Sequence, residues 1–174
     1  MSAATIRRLV AFLVVGAAAL TVSSCGDDSS GKDTSSRESD VYAAIVTSVA
    51  AAETADESTP IVYVAPLGNE KPIPLNVQVA VVDSVADAAV LRFVDKADQA
   101  INQDDDTEPV IDDAVLVRLG AVPESGATVN VPGELYRTKA DASPVVYVVN
   151  ETPDGWVVAS TEAPAASAPT SAGS

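Results

Sequence analysis

The course of this chain turns on residues 74–94, PLNVQVAVVDSVADAAVLRFV. Pro74 suits the first position of a helix, where its missing N–H costs nothing. Leu75, Val79, Val82 and Ala86 follow at helical spacing and are expected on the buried side. Val77-Gln78-Val79 could equally alternate as a strand. Val90-Leu91-Arg92-Phe93-Val94 then reads as a strand, and Lys96 to Ile101 as a short helical patch.

Upstream, Ser39 or Asp40 can cap a first helix running to about Thr54, with Val41, Ile45, Val49 and Ala52 along one face. Thr59-Pro60 stops it. Ile61-Val62-Tyr63-Val64-Ala65 is apolar on both faces, the pattern of a central strand. Pro66 to Pro74 is a loop. Downstream, the acidic turn Gln103–Pro109 introduces an all-β region. Its expected strands are Val115–Leu119, Thr128–Val131, Tyr136–Ala142, Val145–Val149 and Trp156–Ala159. Pro132-Gly133 is expected to end the second of these. Thr152-Pro153-Asp154-Gly155 is a hairpin turn signal. Helices first and strands after predict an α+β fold: two N-terminal helices packed on a mostly antiparallel sheet that ends in a β-hairpin.

The N-terminus reads as an export signal. Arg7 and Arg8 precede an apolar run, Leu9 to Leu20, too short to span a membrane as a stable helix. Val22-Ser23-Ser24-Cys25 follows and resembles the lipobox of bacterial lipoproteins. That resemblance implies cleavage between Ser24 and Cys25 and a diacylglyceryl group on the Cys25 thiol. Two acyl chains suffice for stable anchoring. The expected organisation is a signal peptide at 1–24, a flexible tether at 25–38, one domain at 39–160 and a disordered Ala/Pro/Ser/Thr tail at 161–174. The expected location is the extracytoplasmic face of the cell membrane. The layout of the mature chain (DVYAAIV at 40–46, IVYVA at 61–65, LRFVD at 91–95, VLVRLG at 115–120) resembles one that recurs in uncharacterised lipoproteins of high-GC Gram-positive bacteria. The resemblance implies no activity.

Charge and composition narrow the function. The chain has 10 Lys+Arg and 25 Asp+Glu. Removing residues 1–24 takes Arg7 and Arg8 and no acid, leaving 8 basic residues against 25 acidic ones, a net charge of −17. Such a surface repels phosphate backbones, so nucleic acid is not an expected partner. There is no His, which removes the commonest general base and zinc ligand. The one Cys leaves no disulfide or CxxC motif. No serine can have a His base, and no Gly-rich phosphate loop is present.

Two constellations remain as candidate sites. Asp104, Asp105, Asp106 and Glu108 could offer oxygen ligands to calcium. However, Pro109 and Val115 fall where an EF-hand needs Gly and Glu, and a solvated acidic turn is the simpler reading. Arg92 and Arg118 lie inside strand-like runs. They could bind an anion together in a cavity, or face outward and pair with surface acids. No cofactor is expected. The expected function is a membrane-anchored, non-enzymatic binding or protein-interaction module with a partner in the cell envelope. The alternatives are a metal- or carboxylate-dependent envelope enzyme and a structural envelope-accessory protein.

Overall fold

The structure is a computed structural model, and it describes residues 29–53 and 58–165. Helix α1 (Ser29–Glu53) leads into strand β1 (Ile61–Pro66), helix α2 (Leu75–Val85) and strand β2 (Val90–Phe93). Two short 3-10 turns, Ala97–Ala100 and Ile111–Asp113, precede β3 (Val115–Leu119). Strands β4 (Thr128–Thr138), β5 (Asp141–Thr152) and β6 (Gly155–Glu162) complete the chain. All six strands form one sheet in the order β2-β1-β3-β4-β5-β6.

This sheet corrects the expected fold. It is mixed: β1 pairs in parallel with both β2 and β3, and only β3-β4-β5-β6 is antiparallel. Nor are both helices N-terminal, because α2 is the crossover between β1 and β2. Parallel neighbours require such a crossover, whereas antiparallel ones can be joined by a tight turn. The second crossover, residues 94–114, passes over β1 on the opposite face to reach β3. The two crossovers run in opposite directions on opposite faces. They therefore share one hand, as the handedness rule for parallel units demands.

The core has two layers. On one face, Val41, Ile45 and Val46 of α1 and Val77, Val81 and Val85 of α2 pack on Val62, Val64, Val115, Val117, Val131 and Val149. On the other, Tyr63, Ala65, Leu116 and Tyr136 are covered by Ala100 and Val110 from the second crossover. A strand buried on both faces reads as an unbroken apolar run, and β1 does.

Helix α2 buries the stripe Val77, Val81, Val85 rather than the expected one. Leu75 is 73% exposed, Val79 52% and Val82 39%. Its sequence is apolar on both sides, so helical periodicity alone offered two stripes. Helix α1 starts ten residues before its expected cap, within the expected tether. Ser39 is interior to it, its hydroxyl donating to the Ser36 carbonyl at 2.8 Å. The turn around Arg37 is held from outside. Arg37 donates to the carbonyls of Pro123 and Gly126, and its guanidinium stacks on Trp156, 4.6 Å from the ring centroid.

Strand β4 runs through Pro132-Gly133 instead of ending there. Pro132 O accepts from Gly120 N at 2.8 Å. The nitrogen of a strand residue points to the same side as its carbonyl, so the missing N–H faces the end of β3 and the ladder to β5 is intact. Strand β6 extends to Glu162, two residues into the expected tail.

Candidate functional site

The three parallel strands end together at a cleft of about 900 Å³. Pro66 closes β1, Asp95 follows β2, and Arg118 is the penultimate residue of β3. All three line the cleft. Open α/β sheets bind ligands outside the carboxyl ends of their strands, where successive crossovers leave on opposite faces. Here the crossovers after β1 and β2 do so.

Each wall is fixed by its own backbone. The β1–α2 loop is tied to β3 by Leu67 N donating to Leu119 O at 2.8 Å, and it turns at Gly68, whose φ is 61°. Glu70 and Asn69 project from this loop into the cleft lining. Behind it, Tyr42 of α1 donates its hydroxyl to Gly120 O at 3.0 Å. Burial pushes the Tyr42 phenol well above its ordinary range, and nearby Glu38 and Glu70 add to the shift. The second wall begins where Gln99 Oε1 accepts from the amides of Asp95 and Lys96, at 3.0 and 3.2 Å.

The acidic turn forms the third wall, and its residues are occupied in shaping it. Asp105 Oδ1 accepts from Thr107 N at 2.8 Å and Thr107 Oγ1 at 2.7 Å, which holds the Asp105 carboxyl below its ordinary value. Asp104 N donates to Asn102 Oδ1 at 3.2 Å. Glu108, at φ 46°, pairs with Lys139, and its carbonyl accepts from the Tyr136 hydroxyl at 2.8 Å. Of the four expected calcium ligands, only Glu108 lines the cleft; Asp104, Asp105 and Asp106 do not. Among the described residues, no three of His, Cys, Asp or Glu converge as a metal site.

Arg92 and Arg118 share a sheet face, because Arg92 sits beside Tyr63 and Arg118 beside Ala65 in register. They do not share a pocket. Arg118 lines the cleft, with Nη1 3.1 Å from Glu134 Oε1 and its guanidinium 5.5 Å from the Tyr136 ring centroid. Its Nε is buried and has no acceptor among the described residues.

Arg92 lies outside the cleft, in a cluster that sequence reasoning missed. Its Nη1 donates to the Tyr63 hydroxyl at 2.7 Å and pairs with Asp112. Tyr63 donates in turn to Asp112 Oδ2 at 2.7 Å. The Tyr63 hydrogen bond, with Arg92 beside it, holds the Asp112 carboxyl below its ordinary value. The sequence patterns of Tyr63 and Arg92 put each within a strand, but the parallel register that pairs them is not local information.

The expected lipidation site Cys25, the expected cleavage residue Ser24 and the segment read as an export signal lie outside the described residues. Among those described, no helix is long and apolar enough to cross a membrane. Comparison with protein-family models, curated proteins and solved structures finds no match.

Proposed function

We propose that the chain is a lipid-anchored, extracytoplasmic binding module whose ligand site is the cleft at the carboxyl ends of β1, β2 and β3. The observation that carries the reading is the position of Arg118, a cation on the cleft wall at the carboxyl end of a parallel strand. Lys96 lies on the same lining among Glu70, Asp95, Asp98 and Glu108. Such a mixed lining suits a small polar molecule carrying both charges, its anionic end toward Arg118 or Lys96 and its cationic end among the carboxylates. Binding without turnover fits a chain with no His and with its one Cys inside a lipobox-like tetrapeptide. The anchor reading rests on that tetrapeptide, Val22–Cys25.

Thermal unfolding against a panel of free amino acids and dipeptides at millimolar concentration tests the binding reading. A ligand present at a hundred times its Kd stabilises by about 2.7 kcal/mol. At least one zwitterion is expected to raise the midpoint, and Arg118→Gln to abolish the rise. A panel without effect, or a rise unchanged in the variant, contradicts the cleft as the site. Intact-mass measurement of the membrane-bound protein tests the anchor. A chain starting at Cys25 with a diacylglyceryl group is expected, and one retaining residues 1–24 contradicts it.

A further inference from the structure

Strand β2 is an edge of the sheet. Val90 N donates to Pro60 O and Val94 N to Val64 O, both at 2.9 Å. Backbone groups alternate sides along a parallel ladder, so Val90, Arg92 and Val94 turn theirs toward β1, and Leu91 and Phe93 turn theirs to the open edge. The outward amides on either side have partners. Ala89 N donates to Val85 O at 3.0 Å, and Asp95 N to Gln99 Oε1 at 3.0 Å. Those of Leu91 and Phe93 have none among the described residues. An edge of unpaired amides and carbonyls is a template for another strand.

Beside this edge lies an apolar groove. The side chains of Leu91 and Phe93, in register with Val62 and Val64, lie on the face that carries α2. With Leu75, Val79 and Val82, the exposed stripe of α2, they line a hollow of about 300 Å³. It shares no residue with the cleft. Exposed apolar surface that is contiguous, rather than scattered singly, marks interaction sites.

We propose that β2 receives an extended segment of a basic partner protein as an added strand, with alternate apolar side chains seated between α2 and β2. Strand addition takes affinity from main-chain bonds and specificity from pockets for every second side chain, and this edge supplies both. Charge selects the occupant. Asp83 lines the groove, Asp87 follows α2, and the chain as a whole carries −15. A second copy meeting edge to edge about a two-fold axis would bring two grooves together, each with an Asp83 at its rim. A basic segment meets the same rim with opposite charge.

The test is amide chemical-shift mapping and hydrogen exchange on the full chain. The probe is a peptide of alternating Lys and Val, and the control is alternating Lys and Gly. The expected result is shifts confined to residues 75–83 and 90–94, with new protection of the Leu91 and Phe93 amides. Val79→Glu should weaken binding at least about tenfold. Leu75→Glu, at a still more exposed position, serves should Val79→Glu not fold. Equal shifts with the Lys-Gly peptide, shifts elsewhere, or none overturn the proposal. Concentration-dependent dimerisation that protects the same two amides without any peptide also overturns it, because the occupant is then a second copy.

Discussion

The Tyr63 hydroxyl donates to Asp112 Oδ2 at 2.7 Å, and Arg92 completes the cluster from the neighbouring strand. This ties edge strand β2 and its neighbour to the 3-10 turn before β3. The Asp112 carboxyl is held below its ordinary 3.8. A carboxylate with a depressed folded pKa stabilises the fold above its unfolded value and loses that contribution as pH falls through the folded one. Asp112→Asn tolerates the same positive φ, which is 59° here. The variant is therefore expected to unfold at lower urea than the native chain at pH 7. The gap should narrow as the pH drops below about 3.8. A gap unchanged from pH 7 into strong acid would contradict the ionic role of Asp112.

The two faces of α2 make opposite predictions. Val81 is fully buried, and Val81→Ala deletes two methyl groups from the core, at a cost of about 1.5–3 kcal/mol. Val79→Ala, on the outer stripe, should change stability by no more than about 0.5 kcal/mol. Denaturant titration of both variants checks the orientation of the helix. Equal costs, or the reverse order, would turn it over.

That orientation shows where the sequence was legible. Apolar runs placed β1, β2 and β3 within a residue or two, and Thr152–Gly155 placed the final hairpin turn. A helix with apolar stripes on two sides cannot declare which one is buried, and in α2 it is Val77, Val81 and Val85 rather than the expected stripe. Strand direction is likewise absent from local patterns. β1 carried the mark of a central strand, being apolar on both faces, but only its parallel pairing with β2 and β3 makes the sheet mixed. The site followed suit. Arg118 was visible as a cation within an apolar strand, whereas Tyr63 and Asp112, 49 residues apart, meet only through tertiary structure.

Gly133 seats the Tyr147 ring. A Cβ at this position would lie 2.8 Å from Tyr147 Cε2 and 2.9 Å from Arg118 O. The ring could give way but the backbone oxygen could not. Gly133→Ala is therefore expected to cost about 1–3 kcal/mol through overpacking. Calorimetry of the variant measures this. A midpoint equal to that of the native chain would show that β4 can shift at no cost.

Burial pushes the Tyr147 phenol up to about 12. A raised folded pKa stabilises fully below the ordinary value of 10.0, and the contribution is lost as pH rises from there toward 12. Tyr147→Phe should flatten the fall in stability across that window. Unfolding followed at several alkaline pH values gives the slope, and an unaltered slope would place the alkaline sensitivity elsewhere.

The most direct test of the cleft is amide chemical-shift mapping of the full chain with whichever zwitterion stabilises it most. Shifts are expected to cluster at residues 66–72, 95–103 and 118, where the three parallel strands end, and to vanish in Arg118→Gln. Shifts that instead spread over the antiparallel half, β4 to β6, would contradict the cleft as the site.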